Sequence, residues 1–138
     1  MVYLDTSSLV KLYIKETGSL EVIDLVSSAS LVLTSIVAYA ETRAAFAKQH
    51  KNRNLTQKEL SGIKVVFEDD WRHYLIIGIN EVISHLAGDL AEKHGLRGFD
   101  AIHLASYLFF KGKVKKEIIF SSFDSRLNDA ARKENPGR

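Results

Sequence analysis

Four acidic residues occupy positions from which they could act together: Asp5, Glu41, Asp100 and Asp124. Asp5 closes the short apolar burst Val2-Tyr3-Leu4, Asp124 comes just after Ile118-Ile119-Phe120-Ser121, and Asp100 opens an apolar helical stretch behind Gly98-Phe99. At a helix start a carboxylate caps free backbone N–H groups and favours the positive end of the dipole, an ordinary role for Asp5, Asp100 and Asp124 taken singly. Glu41 has no such role. In Ile36-Val37-Ala38-Tyr39-Ala40-Glu41-Thr42-Arg43-Ala44-Ala45-Phe46 it shares a helical face with Val37, Ala44 and Ala45. Burying a charge there unpaired costs several kcal/mol or forces protonation. Glu41 therefore needs a cation, with Arg43 and Lys48 the nearby candidates, or a place in a cleft that holds a metal.

Brought within about 5 Å of one another, the four carboxylates would repel by roughly 3 kcal/mol per pair at an effective dielectric of about 20. A hard divalent cation, Mg²⁺ or Mn²⁺, relieves that repulsion: it prefers carboxylate oxygen and water, keeps several waters, and completes its shell with phosphate oxygens. Such a centre polarises a phosphoryl group, activates water and neutralises the leaving oxygen, which is the chemistry of phosphodiester hydrolysis. On this reading Glu41→Gln relieves repulsion and raises stability in metal-free buffer. The chain has no cysteine, so a metal must be bound by oxygen or histidine.

The elements that must position these acids follow from apolar periodicity. The burst at Val2-Tyr3-Leu4 reads as a strand, and Leu9, Val10, Leu12, Tyr13 and Ile14 as a helical face after Asp5-Thr6-Ser7-Ser8. A helix over 20–28 leads to a buried strand at Leu31-Val32-Leu33-Thr34, and another helix runs over 36–48. Thr56 with Glu59 is a capping box opening a helix to about Glu68, which Asp69-Asp70 closes into a loop. Tyr74-Leu75-Ile76-Ile77 is the third strand, followed by a helix over 80–94 with Gly95 at its C-cap. A helix from Gly98 to Phe110 with Gly112 beyond it, a fourth strand at 118–121, and a helix over 125–133 complete the chain, with Asn135-Pro136-Gly137-Arg138 a loose tail. Four short strands alternating with helices, without a hairpin signal, predict an α/β fold: a parallel sheet flanked by helices on both faces. In such sheets ligands bind beyond the carboxyl ends of the strands, where Asp5 and Asp124 stand.

With 138 residues, 46% of them apolar and 26% charged, the chain is expected to be a single globular domain over 1–138. The start Met1-Val2-Tyr3-Leu4-Asp5 lacks a basic, apolar export signal, and no stretch approaches the roughly 18 apolar residues of a membrane span, so a cytoplasmic setting without membrane contact is expected. A net charge of +2 neither predicts nor forbids nucleic-acid binding.

Four blocks of this sequence resemble the PIN-domain nucleases, and among them the VapC-type toxins. They are Val2-Tyr3-Leu4-Asp5-Thr6-Ser7-Ser8-Leu9-Val10-Lys11-Leu12, Glu41 with Arg43, Gly98-Phe99-Asp100-Ala101-Ile102-His103-Leu104-Ala105, and Phe120-Ser121-Ser122-Phe123-Asp124-Ser125-Arg126-Leu127. The resemblance implies a PIN-like fold, with Asp5, Glu41, Asp100 and Asp124 as catalytic metal ligands and Ser7 and Ser122 as supporting hydroxyls. Ser122 replaces the threonine common in the family and keeps the hydroxyl. The activity implied is a divalent-metal-dependent endoribonuclease that hydrolyses RNA phosphodiester bonds. The implied setting is a type II toxin–antitoxin pair, with a cognate antitoxin and a homodimer. The apolar residues of the helices over 36–68 offer a surface for the homodimer.

Lys11, Arg43, Arg97 and Arg126 lie near the motifs and could hold an RNA backbone, although solvated charge is their ordinary role. His103 reads as a hydrogen-bonded structural histidine in an apolar helix, and Tyr107, Phe109 and Phe110 as core or interface. A phosphoacceptor receiver domain requires a pair of acids after the first strand and a lysine after the last, which this chain lacks. A catalytically silent RNA-binding or scaffold domain of the same fold is the alternative.

Overall fold

A computed structural model describes residues 1–136. The elements run β1 (Val2–Leu4), α1 (Thr6–Val10), α2 (Ser19–Ser28), β2 (Val32–Ser35), α3 (Val37–Lys51), α4 (Gln57–Trp71), β3 (Leu75–Ile77), α5 (Glu81–His94), α6 (Gly98–Lys111), β4 (Ile119–Ser121) and α7 (Ser125–Glu134). The strands pair in parallel in the order β3-β2-β1-β4. The chain steps outward from β1 through β2 to β3, then returns to place β4 on the other side of β1. The gap between the carboxyl ends of β1 and β4 is therefore the point where the winding reverses, the position at which open α/β sheets bind ligands.

Alternation along β1 divides the core. Tyr3 faces a cluster with Leu33, Ile83, Leu90, Leu104 and Leu127, which draws in α5, α6 and α7. Val2 and Leu4 face the opposite cluster with Leu9, Val22, Phe46 and Phe67, which draws in α1 to α4. Helices thus cover both faces. Among the described residues no helix is long and apolar enough to cross a membrane.

Local signals account for several helix ends. Thr56 and Glu59 form the expected reciprocal capping box, Asn80 caps α5 through Ile83 N–H at 2.8 Å, and Gly95 ends α5 in the left-handed region at φ 64°. Three expectations need correction. The helix after Asp5 stops at Val10 and continues as turns. α4 runs through Asp69-Asp70 to Trp71, because Asp70 accepts a hydrogen bond from the Tyr13 hydroxyl at 2.9 Å and so gains a partner inside the fold. Asn135 is tied down, donating to the Tyr107 hydroxyl at 2.8 Å and accepting from Lys111; Gly137 and Arg138 of the expected tail lie outside the described residues.

Candidate active site

β1 delivers Asp5 to the winding reversal, where it is only 3% exposed. Its Oδ1 accepts from Ser8 N–H at 3.0 Å, which caps α1, and from the Ser7 hydroxyl at 2.7 Å. Its Oδ2 accepts from the Ser122 hydroxyl at 2.6 Å, and its N–H donates to Ser121 O at 3.1 Å. Ser122 Oγ in turn accepts the Asp124 N–H at 3.0 Å, and Ser7 Oγ accepts the Phe123 N–H at 2.9 Å. The loops after β1 and β4 are thereby stitched together around one carboxylate. A buried Ser8–Ser121 hydroxyl pair at 2.8 Å lies beneath them. Burial pushes the Asp5 carboxyl above its ordinary range, against the pull of hydrogen bonds from Ser122 and Ser7, the nearby His103, and the Ser8 N–H.

Glu41 is held from two sides. Its Oε1 accepts from the Thr6 hydroxyl at 2.6 Å and from His103 Nε2 at 2.9 Å. Burial alone would raise the Glu41 carboxyl, but the hydrogen bonds from His103 and Thr6, together with the charges of His103 and Arg97, hold it below its ordinary value. Asp100 sits one turn before His103 on α6 and accepts from Arg97 Nε at 3.2 Å. Glu41 and Asp100 line one open cavity of about 450 Å³ together with Arg97, Gly98, Phe99 and Ile102.

The sequence pattern of the PIN domain matches residues 2–133. The chain belongs to the PIN-domain family. Ribonuclease VapC45 of Mycobacterium tuberculosis is 41% identical to this PIN domain over 131 residues, covering 95% of this chain and 89% of the relative. Two solved structures share the fold. VapC20 of M. tuberculosis, described as a sarcin-ricin loop cleaving toxin, superposes with a TM-score of 0.67 at 16% identity, over 94% of this chain and 95% of that one. A toxin–antitoxin complex from Klebsiella pneumoniae gives 0.56 at 20% identity, over 86% and 83%.

Within this PIN domain the candidate acids are held by separate partners. Asp124 caps α7 through Leu127 N–H at 2.8 Å, whereas Asp100 lies inside the first turn of α6, whose N-cap is Arg97. Neither cation expected for Glu41 reaches it: Arg43, two residues on and so on another side of α3, bonds Tyr39 Oη at 2.8 Å and Glu68 at 3.2 Å, and Lys48 is exposed. Glu41 flanks the buried stripe Ala38, Thr42 and Phe46, with Ala44 on the exposed side. Of the cations proposed for RNA, Arg97 borders the acidic cavity. Lys11 is engaged with Glu16 at 2.9 Å and lies 4.5 Å above the Phe123 ring, and Arg126 reaches Gly95 O at 3.4 Å.

Two participants carry no role in the sequence reading: Thr6, and His103 as the partner of Glu41. The spacing of Asp100 and His103 puts both on one face of α6, which was the available signal.

Proposed function

We propose that this PIN domain is a divalent-metal-dependent endoribonuclease and the toxin of a type II toxin–antitoxin pair. The observation that carries the reading is the pairing of Glu41 and Asp100 in one open cavity, with Glu41 bonded to Thr6, the residue after Asp5, in a chain 41% identical to a ribonuclease over nearly its whole length.

The donor set fits a hard cation. Among the described residues no three His, Asp or Glu side chains form a ready-made metal cage. Mg²⁺ is commonly held by one or two carboxylates and completed by water and substrate phosphate, so an open acidic cavity suits it better than a closed one. Glu41 and Asp100, which share the cavity, would hold Mg²⁺ or Mn²⁺ most directly, with Asp5 and Asp124 as the further proposed ligands, and the ion would supply Lewis-acid polarisation of the phosphodiester and neutralise charge on the leaving oxygen. Ser7, Ser122 and the Ser8 N–H orient Asp5 and restrain its rotation. Arg97, whose guanidinium is largely exposed beside Asp100, is placed to bind a backbone phosphate. A single domain, a cytoplasmic workplace, a cognate antitoxin over the cleft, and a homodimer through the exposed Val65 and Val66 of α4 belong to the same reading.

The test is cleavage of a mixed structured RNA by purified protein with Mg²⁺, Mn²⁺ or EDTA, beside an Asp100→Asn control. Metal-dependent cutting that is absent from the control is expected. A folded protein that neither cuts any RNA offered nor binds Mn²⁺ in calorimetry would instead be the silent scaffold.

A further inference from the structure

His103 is 1% exposed, and its two ring nitrogens face different kinds of group. Nε2 meets Glu41 Oε1 at 2.9 Å on the cavity side, and Nδ1 meets the Tyr3 hydroxyl at 2.9 Å in the core. A carboxylate offers no proton, so Nε2 is the donor to Glu41, while a phenol oxygen can donate or accept and holds Nδ1 in either role. Tyr3 itself is wholly buried in the central strand, stacked on Phe120 with centroids 5.6 Å apart and edge-on to Tyr107 at 6.0 Å. A rigid line therefore runs from β1 through α6 to α3, ending on one oxygen of Glu41.

That oxygen is fully engaged. Oε1 takes both His103 and Thr6, whereas Oε2 accepts no hydrogen bond from the described residues. Glu41 is also a cavity-lining side chain. We propose that Tyr3 and His103 form a buried prop that holds Glu41 Oε1 inward and presents Oε2 to the cavity, making His103 a positioning residue for the metal-binding carboxylate. The inference rests on the proposed reading of Glu41 as a ligand. Partners of this outer kind tune metal affinity by fixing the ligand's rotamer before the ion arrives.

The test compares wild type with Glu41→Gln, His103→Leu, His103→Gln and Tyr3→Phe by Mn²⁺ calorimetry and by kcat and KM on RNA, after circular dichroism confirms the fold of each. His103→Leu is expected to weaken Mn²⁺ binding by about 10- to 100-fold and to lower kcat with KM for RNA unchanged. His103→Gln, whose amide N–H can take the place of Nε2–H, is expected to recover most of that loss. Wild-type Mn²⁺ affinity in folded His103→Leu, or a His103→Gln variant as impaired as His103→Leu, overturns the proposal. If His103→Leu does not fold, Tyr3→Phe decides: it keeps the ring packing and removes the hydroxyl behind His103, so unchanged affinity and kcat overturn the prop. Glu41→Gln isolates the parent reading, since wild-type Mn²⁺ affinity there removes Glu41 as a ligand whatever His103 does.

Discussion

Asp5 and Glu41 are carboxylates that share His103 as a nearby group and whose environments act in opposite directions. Burial dominates at Asp5 and raises its pKa in the folded state. An acid with a raised folded pKa binds more protons folded than unfolded, so its penalty is absent below the ordinary value of 3.8 and grows as pH rises through the folded value. Asp5→Asn is therefore expected to abolish RNA cleavage while raising the thermal midpoint in EDTA at pH 7, and that gain should vanish near pH 3. A loss of stability at pH 7 would show that the serine shell recompenses the buried charge in full. Glu41 has the other sign. Its lowered pKa contributes stability above its ordinary 4.5 that is lost as pH falls through the folded value. Glu41→Gln should accordingly lower the urea midpoint at neutral pH and cease to matter in acid. Mutual repulsion among the acids alone would give the reverse sign; His103 and Thr6 outweigh it by supplying donors to the carboxylate.

At the scale of elements, the loops around the site depend on close backbone approach. Gly18, the N-cap of α2, has φ 93°, and a Cβ there would meet the Phe123 ring at 2.5 Å. Gly18→Ala should cost roughly 1–3 kcal/mol in urea unfolding and displace the loop carrying Ser122 and Asp124, with a fall in kcat. Gly95→Ala, also left-handed but with open space around it, should cost only about 1 kcal/mol and leave kcat alone. Equal effects of the two would argue against any link between Gly18 and the β4 loop. These local features also mark what could be read from sequence. The strand before Asp5, the caps at Asp5 and Asp124, the capping box at Thr56 and the glycine after α5 are all written within a few residues of where they act. The end of α4 and the partner of Glu41 were not legible, because Asp70 is satisfied by Tyr13 and Glu41 by His103, residues 57 and 62 positions away. Hydrogen bonds of that span depend on how helices pack, which periodicity does not encode.

For the molecule as a whole, the large apolar groups left in solvent include Val65 and Val66, 71% and 53% exposed on α4. If they form the proposed homodimer contact, Val65→Asp should convert a dimer to a monomer in sedimentation velocity without unfolding it; an unchanged sedimentation coefficient would move the contact elsewhere. The winding of the sheet has a separate consequence for the order in which the candidate site is completed. Asp5 and Glu41 are synthesised well before β4, but half of the shell around Asp5 comes from Ser121 at the end of β4 and from Ser122 just beyond it. A nascent or prematurely terminated chain that lacks Ile119–Ser121 and the loop beyond it holds neither Ser122 nor Asp124 and leaves one edge of β1 unpaired. The sheet order thus withholds a finished candidate site from every incomplete chain until β4 docks beside β1.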